Sequence, residues 1–138
     1  MKKIALIALV TLLGFSVSKA QTTATADDKV YSFVAMENPP KFPGGMAEFY
    51  KFLGENINYP EQAKQEKVQG NVFISFVVEK DGSISNVKVN RKLGHGTDEE
   101  AVRVLNLSPN WIAGTQNGKT VRVRYTIPIK FSLNKQTQ

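Results

Sequence analysis

The sequence predicts an α+β fold, a three-stranded antiparallel sheet with helices packed on one face. Three observations lead there. Residues 71–79 alternate at a period of two and run into Asp81-Gly82, a hairpin signal. Helical stripes lie before and after that hairpin. The last strand, residues 121–131, sets Val121, Val123, Tyr125, Ile127, Ile129 and Phe131 on one face, with Arg122, Arg124 and Lys130 on the other. A sheet with one polar face takes its helices on the other face only.

The elements follow in order. Residues 30–35 (VYSFVA) read as a short strand or an extended arm. Pro39, Pro40 and Pro43 stiffen the next stretch, and Gly44-Gly45 then releases the backbone. A helix starts there, because Met46, Phe49, Tyr50 and Leu53 fall at i, i+3, i+4 and i+7. Gly54 is its expected stop. Tyr59-Pro60-Glu61 opens a shorter helix that runs toward Gly70, with the proline where a missing N–H costs nothing and the acid near the positive helix end.

Period two then takes over. With a two-residue turn at Asp81-Gly82, Phe76 faces Val87 and Ile74 faces Val89, while Ser75 faces Lys88 and Phe73 faces Asn90. Apolar meets apolar on one side, so the register is well specified. Residues 97–100 read as a capping box, Thr97 paired with Glu100, opening a helix through Ala101, Val104 and Leu105 that ends before Pro109. Asn117-Gly118 marks a turn into the last strand. In a wholly antiparallel sheet the strand at 71–79 lies in the middle, which leaves residues 121–131 on an edge. Pro128 agrees, since a proline is tolerated in a ladder mainly at an edge.

The chain has 138 residues and a net charge of +6. Lys2 and Lys3, an apolar run over residues 4–17 and Ser18-Lys19-Ala20 match a secretory signal peptide cut after Ala20. The run is shorter than the ~20 apolar residues of a membrane-spanning helix; an uncleaved inner-membrane tether is the alternative. Cleavage removes three of the lysines behind the net charge, and the remaining charges are spread in both signs, which argues against a nucleic-acid surface. The expected organisation is signal peptide 1–20, leader or short extended arm 21–36, one folded domain 37–132 and polar tail 133–138. There is no cysteine, so disulfides do not hold the fold.

Chemistry finds little support. The single histidine, His95, stands between glycines with no motif around it. One histidine and scattered carboxylates do not make a tetrahedral metal set. Asp98, Glu99 and Glu100 are explained by their place at a helix start. The glycine pairs lack the spacing of a phosphate loop. No catalytic residue, cofactor or metal is expected. Trp111 reads as core or loop packing ahead of a binding anchor. Arg122 and Arg124 on an edge strand either guard it against stray pairing or greet an acidic partner.

Several segments, in this order and spacing, resemble the C-terminal domain of the TonB energy-transducer family, in the form common in Bacteroidetes-like bacteria. They are Pro43-Gly44-Gly45, Tyr59-Pro60-Glu61-Gln62-Ala63, Gln69-Gly70-Asn71-Val72, Phe76-Val77-Val78 with Asp81-Gly82-Ser83-Ile84, Ser108-Pro109-Asn110-Trp111, and Val123 through Pro128-Ile129-Lys130-Phe131. The resemblance implies a non-enzymatic periplasmic domain that grips a TonB-box-like peptide of an outer-membrane transporter, or another periplasmic protein, by adding it as a strand. The partner-binding residues it implies are Val121, Arg122, Val123, Arg124, Tyr125, Thr126 and Ile127. Full transducers of the family carry a membrane helix and a long proline-rich spacer, whereas residues 21–36 here span at most about 50–60 Å. A cleaved, unanchored domain cannot pull against the inner membrane by itself, so an accessory role without energy transduction is an alternative expectation. A self-associating structural domain, pairing edge to edge as a homodimer, is the alternative.

Overall fold

The computed structural model describes residues 29–134. The expected signal peptide, most of the expected leader and the end of the expected tail lie outside the described residues. The elements run β1 (Val30–Ser32), a 3-10 turn (Phe33–Ala35), α1 (Met46–Asn56), α2 (Glu61–Gln65), β2 (Gly70–Val78), β3 (Ile84–Arg91), α3 (Thr97–Asn106), β4 (Gly114–Gln116) and β5 (Lys119–Phe131). The mixed α+β class holds, but the sheet has five strands where three were expected. Strand order is β1-β5-β2-β3, with β4 paired to the start of β5. β2 is central, as its two apolar faces predict.

The helices share one face. Val72, Ile74, Phe76 and Val78 of β2 join Tyr125, Ile127, Ile129 and Phe131 of β5 in one core with Phe49 and Leu53 of α1 and Ala101, Val104 and Leu105 of α3. Trp111 completes it, 3% exposed, against Phe42, Phe49, Phe76 and Tyr125. Its indole N–H donates to Ser108 Oγ at 2.9 Å, which satisfies the one polar atom that burial would otherwise strand.

Four local expectations change. The β2–β3 turn has three residues where two were expected. Gly82 N–H donates to Glu79 O at 2.9 Å, Glu79 N–H donates to Ser83 O at 2.8 Å, and Gly82 takes φ +85°. That is a type I turn closed by a left-handed glycine, the next commonest hairpin loop. The pairing is thereby one residue short at Val77↔Ser85, and an irregularity between Ser75 and Val77 recovers it, with Asn86 at φ 49°. Ile74↔Val89 and Ser75↔Lys88 pair as expected, whereas Phe73 meets Arg91 and not Asn90.

The capping box is also absent. Gly96, left-handed at φ 84°, is the N-cap, and Thr97 Oγ1 donates back to Gly94 O at 2.6 Å. Glu100 instead accepts from Asn58 N–H at 2.8 Å and from Arg103. Asp98 turns to the incoming loop and accepts from the N–H groups of Leu93 and Gly94 at 2.8 and 2.9 Å. α1 runs through Gly54 to Asn56, since one glycine costs a helix only ~1 kcal/mol. α2 ends at Gln65, and Gly70 belongs to β2. The Asn117-Gly118 turn does form a two-residue hairpin, joining Gln116 to Lys119 with both turn residues at positive φ.

Candidate functional site: the outer side of β5

β5 is thirteen residues long, so it outruns its neighbours, and from Val123 to Phe131 buried and exposed residues alternate without a break. On one side β2 pairs with it from Val123 to Phe131. On the other side β1 lies parallel to it in the register Val30↔Arg122, Tyr31↔Val123 and Ser32↔Arg124. This corrects the expectation that residues 121–131 form an edge throughout. The edge expectation rested on three strands, and a fourth, distant in sequence, closes part of it. Val121 is also engaged, opposite Gly114 of β4. Beyond Arg124, no strand among the described residues pairs with β5 on the β1 side. Pro128 falls in that stretch, where its missing N–H breaks no ladder on the open side.

The seven residues singled out by sequence divide by environment. Val123, Tyr125 and Ile127 are buried, with side chains in the core. Burial pushes the Tyr125 phenol above its ordinary pKa. Its hydroxyl points at Met46 Sδ, 3.8 Å away. Arg122 is held by Glu79: Nε to Oε2 at 2.6 Å and Nη2 to Oε1 at 3.0 Å, with each side chain 23% exposed. Hydrogen bonds from Arg122 hold the Glu79 carboxyl below the usual carboxylate range, and Ser85 Oγ donates to the same group. Arg124 and Thr126 are exposed, as are Pro128 and Lys130 further along. The side chains this stretch presents to solvent are thus Arg124, Thr126, Pro128 and Lys130, while Arg122 braces the start of β5.

Two hollows border the strand. A small apolar one, about 310 Å³, is walled by Phe33, Pro39, Pro40, Phe42, Met46 and Tyr125. Phe33 stands edge-on to Tyr125 at its rim, ring centroids 4.3 Å apart. A wide groove of about 1290 Å³ runs between α1 and the end of β5 and carries Glu48, Tyr50, Lys51, Lys64 and Lys130. Sequence reasoning missed the Phe33 hollow, because its walls are scattered over more than ninety residues. The signal that existed was the alternation of Tyr31 and Phe33 about Ser32, which marks a strand but not its neighbour.

No group of three or more His, Cys, Asp or Glu among the described residues could hold a metal ion. His95 Nδ1 lies 2.7 Å from Glu66 Oε2, outside hydrogen-bond geometry. No described helix is long and apolar enough to cross a membrane.

The class these features define is a small α+β domain whose long C-terminal strand is backed by a short N-terminal arm and leaves backbone open beyond it. The model of the Gram-negative bacterial TonB protein C-terminal matches residues 55–133, and the chain belongs to that family. The Protein TonB of Haemophilus influenzae is 26% identical over 113 residues, which cover 79% of this chain and 42% of that protein. The chain therefore matches less than half the length of that relative. Two solution structures of the Helicobacter pylori TonB C-terminal domain are also similar. One has TM-score 0.47 at 24% identity over 65% of this chain and 81% of that one. The other has TM-score 0.45 at 25% identity over 65% and 95%.

Proposed function

We propose that this domain works in the periplasm as a peptide-binding module, taking an extended segment of an outer-membrane transporter as an added strand on the outer side of β5. Membership in the TonB C-terminal family supports the partner class. The observation that carries the mode of binding is the unequal pairing of β5: nine register pairs with β2 on one side against three with β1 on the other. An uncovered length of strand presents N–H and C=O groups in a row, and an extended peptide completes them. Main-chain bonds supply the grip. Arg124, Thr126 and Lys130 select among sequences, with a preference for acidic ones. A force on such a complex passes along the ladder with no covalent step, and this fits a part in energy-coupled transport.

The test is nuclear magnetic resonance titration of the labelled chain with peptides from the amino ends of outer-membrane transporters of the same genome. Binding should slow exchange of the outward-facing amides among residues 125–131, where Pro128 has none, and shift the resonances of that stretch. Binding that leaves β5 untouched would overturn the strand-addition mechanism. Concentration-dependent dimerisation that protects the same amides without peptide would favour self-association, since the same open edge can pair with a second copy.

A further inference from the structure

β1 is an improbable piece of permanent architecture. It pairs over three residues, and no residue from Val30 to Ala35 is buried. Val34 is 90% exposed and Phe33 39% exposed. After Ser32 the chain leaves β5 by a 3-10 turn, and it is next held at Glu37, whose N–H donates to Gln116 Oε1 at 3.1 Å, and at Asn38, which exchanges backbone hydrogen bonds with Thr115 at 2.9 and 3.4 Å. Between those points the arm is held to β5 by a short ladder and by one ring contact, Phe33 on Tyr125. Few buried contacts and a short ladder are the marks of a segment that opens locally while the rest of the fold stays shut.

We propose that residues 30–35 are a built-in stand-in for the partner, occupying its seat until a longer strand displaces them. The inference rests on the strand-addition reading above and adds direction, side-chain chemistry and regulation to it. Because β1 runs parallel to β5, the arriving segment runs parallel too. Tyr31 stands opposite Val123, so the residue two places on stands opposite Tyr125 and faces the same way. In the arm that residue is Phe33, which meets the Tyr125 ring and forms one wall of the apolar hollow that Pro39, Pro40, Phe42 and Met46 also line. The partner therefore carries an aromatic or large aliphatic residue at that place.

The partner wins on length. The arm turns away after Arg124, whereas a segment without that turn continues along residues 125–131, where the outer side is open. The arm meanwhile lowers apparent affinity in proportion to the fraction of chains whose seat is filled. Short peptides that pair no further than the arm does displace it only weakly, and segments able to pair beyond Arg124 displace it far better. It also screens an edge that would otherwise pair with other chains.

The experiment uses the full chain and the capped peptide VYSFVA, which repeats residues 30–35. Ser32 and Arg124 are register partners in a protein without cysteine, so a Ser32→Cys, Arg124→Cys variant can lock the arm in place. The peptide should bind the oxidised form at least tenfold more weakly than the same variant after reduction. Phe33→Ala, which loosens the arm without a lock, should bind it several-fold more tightly than the parent chain. Equal affinity in oxidised and reduced forms overturns the proposal, as does absence of binding to both the reduced variant and Phe33→Ala. Failure of the functional reading looks different: the arm peptide competes for the seat as expected, but no transporter segment binds even the reduced chain.

Discussion

Glu79 and Arg122 form a two-pronged ion pair, Oε2 to Nε at 2.6 Å and Oε1 to Nη2 at 3.0 Å, between the hairpin turn and the start of β5. The pair fixes how β5 enters the sheet, and it does so on the polar face, at the level where β1 docks opposite Arg122.

Its carboxylate titrates low in the folded chain, so its contribution has a definite pH window. A depressed carboxylate stabilises the fold above its unfolded pKa of ~4.3 and loses that contribution as pH falls through the lower folded value. Urea unfolding should show Glu79→Gln less stable than the parent by about 1 kcal/mol at pH 7. The gap should narrow as pH falls below about 4 and on through the folded value. A gap that stays constant with pH would mean the side chain acts by packing alone.

Gly82 should tolerate no side chain. It sits at φ +85°, its carbonyl accepts from Trp111 N–H at 2.7 Å, and a Cβ there would run into the Trp111 carbonyl oxygen. Gly82→Ala is expected to cost more than ~2 kcal/mol and to shift the emission of the single tryptophan. Gly118→Ala, at φ +74° with nothing near its Cβ, should cost only ~1 kcal/mol. Equal losses for the two would deny the Gly82–Trp111 contact its role.

Asp98 ties the loop before α3 to the helix by accepting two backbone N–H groups while 7% exposed. Asp98→Ala strands both donors and should cost about 2–3 kcal/mol in denaturant unfolding. Asp98→Asn keeps one acceptor and should recover roughly half. If the two variants are equally stable, the loop finds other partners.

Arg124 is the exposed cation nearest the end of β1 along β5. Arg124→Glu should weaken binding of acidic transporter peptides several-fold at low salt, with the loss shrinking as ionic strength rises. Affinity unchanged at every salt concentration would leave selection to the main chain and the Phe33 hollow.

Much of the fold was legible because it is encoded at short range. The stripe around Phe49 and Leu53, the alternation from Val72 to Val78 and the Asn117-Gly118 turn each lie within one element, and each formed. Asp81-Gly82 was legible as a turn but not as a turn of three residues, because a left-handed glycine suits both loops. Thr97 and Glu100 had the spacing of a capping box. The loop amides of Leu93 and Gly94, and Asn58 from another segment, drew Asp98 and Glu100 elsewhere. In the candidate site the alternation of β5 was readable, and so was the exposure of Arg124. The Arg122–Glu79 pair and the arm on β5 were not.

The order α1-α2-β2-β3-α3-β5, the two faces of β5 and the central place of β2 were determined by the sequence alone, since periodicity and burial pattern are local properties of a chain, whereas β4 carried no such pattern. Which side of β5 stays open was decided only by tertiary structure. Residues 30–32 carry a pattern that would suit any strand edge, and their docking beside residues 122–124 depends on where the rest of the fold leaves an unpaired backbone within reach.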